Sequence, residues 1–321
     1  MISVVVIGAR GYTGAELLPL LYRHPEFEIV AVGSGSAAGQ HVYEHVDGME
    51  GCDLLFSEIR PLTLEQYKAD ACVLALPNGF ATGYVSALDE HKPDTVVVDL
   101  SADHRFDPGW SYGQPERFFD QLTGATRIAN PGCYATGAQL ALAPVLDQLL
   151  GLPTVFGVSG YSGAGTTPSR KNDPGVLEDN LLPYSLTDHL HEKEMTHHLG
   201  RDIRFLPHVA PFFRGISLTI AAELESAQTP EQLMECYRDS YAGSPLVEVQ
   251  AETPEVASVR GTHKLILGGF SVSEIRPRRI ALVSVLDNLL KGAATQAVQN
   301  LNLAFGLDSM TGLNTLRGMQ A

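Results

Sequence analysis

The chain has little positive charge. Against 37 Asp and Glu it carries 22 Lys and Arg, a formal charge of −15 over 321 residues, and the basic face with which proteins meet nucleic acid is missing. Cysteine is sparse: Cys52, Cys72, Cys133 and Cys236 stand 20, 61 and 103 residues apart, neither C-x-x-C zinc pairs nor a disulfide framework. No run reaches the ~18 uninterrupted apolar residues of a membrane-spanning helix. Residues 1–14 lack the basic start, apolar middle and cleavage site of a signal peptide, and there is no repeat or low-complexity tract. The expectation is a cytoplasmic protein with no nucleic-acid or membrane partner. A condition follows: if so acidic a chain handles anions, its few cations must be placed locally.

What is present is an ordinary globular balance, 44% hydrophobic and 18% charged residues, with length for about two domains at ~150 residues each. Residues 2–7 are β-rich and nearly all apolar, as in a strand covered on both faces. Helical composition over 12–24 and a second strand at 27–32 complete a β-α-β unit. Strands at 71–76 and 95–100, with a helix at 80–91, continue the alternation, which predicts a Rossmann-type doubly wound parallel sheet. After Cys133 the pattern changes. A helix over 134–150, longer strands at 154–159, 214–224, 264–274 and 279–286, and a helix near 229–242 predict an α+β domain on a mostly antiparallel sheet. A last helix, about 288–305, is read as returning to the first domain. The expected division is 1–132 with 288–321 for dinucleotide binding, and 133–287 for catalysis and dimerisation.

Three groups of residues carry chemistry. Gly8-Ala9-Arg10-Gly11-Tyr12-Thr13-Gly14 lies between strand and helix, where glycines let backbone N–H groups approach a pyrophosphate. The Asp or Glu that would hold an NAD ribose about 20 residues on is replaced by Gly33-Ser34-Gly35-Ser36. Ser34, Ser36 and Arg10 suit a 2′-phosphate instead, so NADP(H) is the expected cofactor. Second, Asn130-Pro131-Gly132-Cys133 puts a thiol at a turn that opens a helix. A free thiol of pKa ~8.5 is mostly protonated at neutral pH and a helix N-terminus favours its anion, so Cys133 is the candidate nucleophile. Cys72, inside a strand, reads as a small buried hydrophobe.

A cysteine nucleophile beside a hydride cofactor implies chemistry at the acyl level, where a thioester and an aldehyde interconvert through a thiohemiacetal. Collapse of that intermediate needs proton exchange near neutral pH. The third group, His189-Leu190-His191-Glu192-Lys193-Glu194, offers a histidine for it, and His208 competes for the role. The spacing is not that of a metal site, and His197 and His198 read as a solvated helix face. Ser159 to Gly165, which lacks the spacing of a serine-hydrolase elbow, reads as a loop contacting anion or nicotinamide through Ser162 and Gly163.

These motifs together resemble the N-acetyl-γ-glutamyl-phosphate reductase family, relatives of the aspartate-semialdehyde dehydrogenases. The resemblance runs through Gly8 to Gly14, Asp99 to Phe106, Tyr112 to Glu116, Asn130 to Thr136, Ser159 to Gly165, His189 to Glu194, Pro207 to Ile216 and Asp287 to Ala294, over nearly the whole chain. It implies NADPH-dependent reduction of an acyl phosphate in arginine biosynthesis by a homodimer or homotetramer. By similarity Cys133 attacks, His191 is the general acid–base and Glu194 orients the site. Arg105 and Arg214 suit the phosphate or carboxylate of the substrate, with Asn130 and His208 as further substrate contacts.

The sequence departs from that family's pattern at four places. Arg10 stands where a small residue is common, Asn78 where His often follows Leu-Pro, Lys193 where Pro is usual, and His263 where Asn is usual. The first two bear on the cofactor and the others on the substrate pocket. Reduction of an aspartyl or aminoadipyl phosphate derivative therefore stands as the alternative activity. A non-catalytic NADP(H)-sensing regulator is disfavoured by the presence of Cys133, the histidines and the arginines.

Overall fold

The computed structural model describes residues 1–313. It divides into two compact units, residues 1–132 with the chain from Ala293 onward, and Cys133–Gly292. Positions 314–321 of the expected return segment lie outside the described residues.

The first unit holds seven parallel strands, β1 (Ile2–Ile7), β2 (Phe27–Gly33), β3 (Phe56–Ser57), β4 (Ala71–Leu74), β5 (Val96–Asp99), β6 (Ser111–Tyr112) and β7 (Arg127–Ala129), in the order β3-β2-β1-β4-β5-β7-β6. Val4, Val5, Val6, Val97 and Val98 are fully buried, as expected of central parallel strands covered on both faces. Helices Tyr12–Tyr22, Thr82–His91, Pro115–Leu122 and Thr295–Ala304 belong to this unit. β3, β6 and β7, with 2, 2 and 3 residues, are too short to show a period in sequence. β1 pairs with β2 on one side and β4 on the other, so the strand order reverses there, and ligands of such sheets bind beyond the strand ends at that switch point.

The second unit is a mixed sheet of β8 (Leu149–Gly160), β9 (Leu182–Pro183), β10 (Arg204–Ala210), β11 (Ile216–Leu224), β12 (Val247–Val249), β13 (Leu265–Val272) and β14 (Arg279–Leu286), ordered β12-β13-β14-β11-β8-β10-β9. The run β13-β14-β11-β8 is antiparallel, while β10 pairs parallel with β8 and β12 with β13.

The expected helix over 134–150 stops at Leu142 and gives way to a 3-10 turn, Ala143–Gln148, and then to β8. Pro144 is the cause. It has no N–H for the carbonyl of Leu140, four residues back, and its ring clashes there. The carbonyls left over are taken up from another helix, Pro230–Tyr241: Tyr241 donates its hydroxyl to Leu140 O and Tyr237 donates to Ala141 O. Each bond is worth about 1 kcal/mol net, and leaving such a buried acceptor unpaired costs about 1–3 kcal/mol.

The last helix also differs from expectation. Residues 290–294 form a π-helical turn and the α-helix begins at Thr295. The chain leaves the second unit at Gly292, where the sequence reading placed the crossing at 288. The reason lies in Asp287, which accepts the backbone N–H of Leu289 and Leu290 and of Gly261, and in Asn288, which accepts that of Gly215. Both side chains are tied into the second unit.

Candidate active site

The glycine loop sits at the switch point of the first unit. Gly8 has φ of +82°, and a β-carbon there would come 2.3 Å from the carbonyl oxygen of Ala75, at the end of β4. Only glycine lets these two strand ends approach so closely. Gly14 is packed as tightly, since a β-carbon would lie 2.6 Å from Ala9 Cα, whereas at Gly11 it would meet no atom nearer than 3.6 Å. The loop is therefore closed toward the sheet and open at Gly11, which precedes Tyr12 and Thr13 in a helix whose first turn has no side-chain cap and no acidic residue. That is a cradle for a pyrophosphate. At the neighbouring strand end, beyond β2, Arg10 Nη1 donates to Ser36 Oγ at 2.6 Å. Exposed Arg10 and Ser36, with the half-buried Ser34, bring a cation and hydroxyls together there, which fits a 2′-phosphate.

Asp99 to Arg105 builds a buried bracket in the same unit. Asp99, fully buried at the end of β5, accepts from Ser101 and from His104 Nδ1 at 2.7 Å, and the His104 ring stacks on Trp110. Asp103 accepts from the backbone N–H of Gly79 and Ala81, and Asn78 accepts that of Ala102. Arg105 donates Nε to Asn130 O and Nη2 to Leu100 O, both at 2.9 Å. The Asn130 side chain accepts from Asn300 at 2.9 Å. Arg105 and Asn130, expected at the substrate, thus brace the peptide leading to Gly132. Asn300, whose amide also donates to Gly113 O, is a site-building residue the sequence reading missed; a buried Asn in an Ala- and Leu-rich helix was the only signal.

Cys133 opens the helix Cys133–Leu142, whose other nine residues are all buried while Cys133 is only partly so. Gly292 packs against it: a β-carbon on Gly292 would fall 2.8 Å from Cys133 Cβ. Next to the cysteine, Tyr134 lies against the sheet because Gly157 has no side chain there, a β-carbon at that point coming 2.8 Å from Tyr134 and from Phe205. Cys72 behaves differently, since burial in β4 pushes its thiol up to about 12.

The histidine segment meets the cysteine through Tyr134. Its ring centroid is 5.8 Å from that of His191 and 4.9 Å from that of Phe205, and its hydroxyl donates to His208 O. His191 and Glu194 are three residues apart on the helix Leu190–Leu199, hence on one face, and Glu194 is fully buried. His189 is 5.0 Å from His191, ring to ring, and accepts the His191 backbone N–H. Burial, with a smaller push from Lys171, lowers its pKa to about 4, so it is neutral. Glu192 ties the segment to β10 by accepting the N–H of Phe205 at 2.9 Å.

His208 is elsewhere. Side chains alternate across a strand, and in β10 Phe205 faces Tyr134 and His189 whereas His208, three residues on, turns to the opposite face and rests on Phe156 at 4.5 Å. Arg214 is held by Asp287, Nε to Oδ2 at 2.7 Å and Nη2 to Oδ1 at 3.1 Å. His263 feels Asp287 and Lys291, and burial above all lowers its pKa to about 4. Ser162 Oγ accepts from Asn288 at 2.9 Å, and Gly163 lies where a β-carbon would reach Ser159 Oγ at 2.9 Å. Both are built into the second unit. Among the described residues no group of three His, Cys, Asp or Glu stands in position to hold a metal ion, and no helix is long and apolar enough to cross a membrane.

A glycine cradle at the switch point of a parallel sheet in one unit, and a helix-opening cysteine with a histidine pair in an α+β second unit, are the marks of a dinucleotide-dependent reductase. The sequence matches the semialdehyde dehydrogenase NAD binding domain over residues 3–125 and the semialdehyde dehydrogenase dimerisation domain over residues 133–288. It is 50% identical to an N-acetyl-gamma-glutamyl-phosphate reductase of Xanthomonas campestris pv. campestris (strain B100) over 311 residues, 97% of this chain and 98% of the relative. A reductase of the same name from Stenotrophomonas maltophilia (strain R551-3) is 50% identical over 308 residues, covering 96% of each chain. Among solved structures, aspartate semialdehyde dehydrogenase II of Vibrio cholerae superposes with a TM-score of 0.77 at 19% identity, over 95% of this chain and 98% of that one. The NADP complex of the Candida albicans enzyme superposes with 0.74 at 16% identity, over 95% and 99%; these two likenesses concern the fold. The chain belongs to the semialdehyde dehydrogenase family, in its N-acetyl-γ-glutamyl-phosphate reductase branch.

Proposed function

We propose that the protein reduces N-acetyl-γ-glutamyl phosphate to N-acetylglutamate 5-semialdehyde with release of phosphate, a step of arginine biosynthesis. The observation that carries this reading is Cys133, the one incompletely buried residue of its helix, with Tyr134 bridging it to His191. The Cys133 thiolate attacks the acyl carbonyl, the bond to the phosphate oxygen breaks, and phosphate departs with the electron pair to leave a thioester on Sγ. Gly8, Arg10, Gly11, Tyr12, Thr13, Gly14, Ser34 and Ser36 would hold NADPH, which when bound would supply the hydride that reduces the thioester to the thiohemiacetal. His191 gives a proton to the resulting substrate alkoxide and takes it back as the C–S bond breaks, expelling thiolate and freeing the aldehyde. Glu194, on the same helix face, orients His191. In favour of His191 over His208 is the pleat, which turns the His208 ring away from Tyr134 and onto Phe156.

Ser162 and Gly163 act as a backbone-built cofactor contact in this reading, braced by Asn288. Arg214, pre-oriented by Asp287, keeps donors for an anion of the substrate, and Arg105 acts by fixing the Asn130 peptide. Assembly is a homodimer, alone or paired into a homotetramer, for which the match to a dimerisation domain is the support. Cys52, Cys72, Cys133 and Cys236 are not joined in disulfides, in keeping with a reducing cytoplasm.

The test is the reverse reaction: NADP⁺ reduction with N-acetylglutamate semialdehyde and phosphate. Turnover is expected, and Cys133→Ala is expected to abolish it while leaving NADPH binding intact. Turnover with aspartate semialdehyde but not with the N-acetylated aldehyde would refute the assignment.

A further inference from the structure

The second unit places a cation beside the reacting thiol's neighbours. Lys171 Nζ stands 4.8 Å from the centroid of the Tyr184 ring. Tyr184 in turn meets His189 at 5.4 Å, ring to ring, and His189 meets His191 at 5.0 Å. The Tyr184 hydroxyl is bonded with that of Tyr134, and both phenols are driven up chiefly by burial and further by the charge of Cys133. Lys171 therefore stands at the edge of the group formed by Cys133, Tyr134, Tyr184 and the two histidines.

Its loop is folded onto itself. Asn172 donates to Gly165 O and Thr167 O, both at 2.8 Å, and accepts the N–H of Ser169 at 2.7 Å. The lysine is thus fixed next to the end of the Ser159 to Gly165 turn. Among the described residues no carboxylate pairs with it, whereas Arg214 is already bound by both oxygens of Asp287. An ammonium held over an aromatic face, partly withdrawn from water and without a counter-ion, favours an anionic ligand.

We propose that Lys171 is a substrate-binding residue that takes an anionic oxygen of the acyl-phosphate substrate, from its carboxylate or its phosphate, beside Cys133. The identity of that substrate rests on the function proposed above; the placement of the cation does not.

Two measurements separate these. In the reverse reaction, Lys171→Met is expected to raise one KM by about 10-fold or more, the scale of a lost charge-assisted hydrogen bond, leave the KM for NADP⁺ unchanged, and be largely restored by Lys171→Arg. A rise in the KM for aldehyde that disappears with 4-acetamidobutanal, which lacks the carboxylate, identifies the carboxylate. A rise in the KM for phosphate with both aldehydes identifies the phosphate. The second measurement needs no substrate: the ratio of Cys133 alkylation rates by anionic iodoacetate and neutral iodoacetamide, followed by mass spectrometry, is expected to fall about 10-fold in Lys171→Met. If wild type fails to turn over the N-acetylated aldehyde but the ratio falls, the assigned substrate is wrong and the anion site stands. An unchanged ratio, or KM values unchanged within twofold, overturns the proposal.

Discussion

The Nδ1 atom of His189 accepts the backbone N–H of His191 at 3.0 Å and so caps the helix that carries the proposed acid–base. The role is usually filled by Ser, Thr, Asp or Asn. Histidine fills it only in the tautomer protonated at Nε2, so the cap exists only while His189 is neutral. Its environment enforces that state: burial, with the Lys171 charge added, brings the pKa to about 4.

His189→Asn is therefore expected to keep the cap and most of the activity. His189→Ala is expected to lose about 1 kcal/mol of stability and, by letting His191 shift, to lower kcat about 10- to 100-fold. Urea unfolding and steady-state kinetics on the two variants check this; equal kinetics for both would remove His189 from the positioning of His191.

Acid should weaken the second unit through two groups at once. His189 and His263 both have pKa values lowered from 6.5 to about 4. Between those values the unfolded chain binds protons that the folded one refuses, so stability rises with pH across that window and is lost as pH falls through it. Replacing both with Asn is expected to flatten the dependence of unfolding free energy on pH between about 4 and 6.5, measured by denaturant titration.

Gly292 is predicted to be intolerant of even a methyl group. The β-carbon of Gly292→Ala would lie 2.8 Å from Cys133 Cβ and 3.2 Å from Asp287 O. Relief requires the cysteine to move, at a cost of about 1–3 kcal/mol for overpacking. Turnover is expected to fall sharply while NADPH binding, measured by equilibrium dialysis, stays as in wild type.

Cofactor choice is expected to follow Arg10 and Ser36. Removing the guanidinium in Arg10→Ala should weaken NADPH about 10-fold, the order of one charge-assisted hydrogen bond, and leave NADH unchanged. Ser36→Asp adds a carboxylate where a 2′-phosphate would lie and should turn the preference toward NADH. Dissociation constants for the two dinucleotides decide it.

Legibility differed by kind of signal. β1, with its apolar run and following glycines, was readable because a buried parallel strand is a local composition. So was Cys133 as the residue at a helix start. The strands β6, β7, β9 and β12 were not, being two or three residues stabilised by neighbours rather than by their own pattern. The helix end at Leu142 could have been read from Pro144. Glu192, which holds β10 through Phe205 N, could have been read only as a third-position acid in a helix whose cap is a histidine.

The sequence alone determined the alternation that makes a parallel sheet, the glycine loop with no carboxylate after the second strand, and a cysteine at a helix start, since each rests on residues near one another in the chain. Tertiary structure decided which polar residues brace backbone and which face of a strand each side chain takes. Arg105 and Asn130 hold backbone, His208 is carried to the far face of its strand, and Lys171 arrives over Tyr184 from a loop with no sequence signature. These outcomes depend on pleat parity, on packing around Gly157 and Gly292, and on pairings between residues far apart in the chain, such as Asn130 with Asn300, 170 residues on. The scarcity of cations, apparent from composition, acquires its meaning the same way. Composition sets how few there are, and folding decides that Arg214 is oriented by Asp287 while Lys171 stands over the Tyr184 ring.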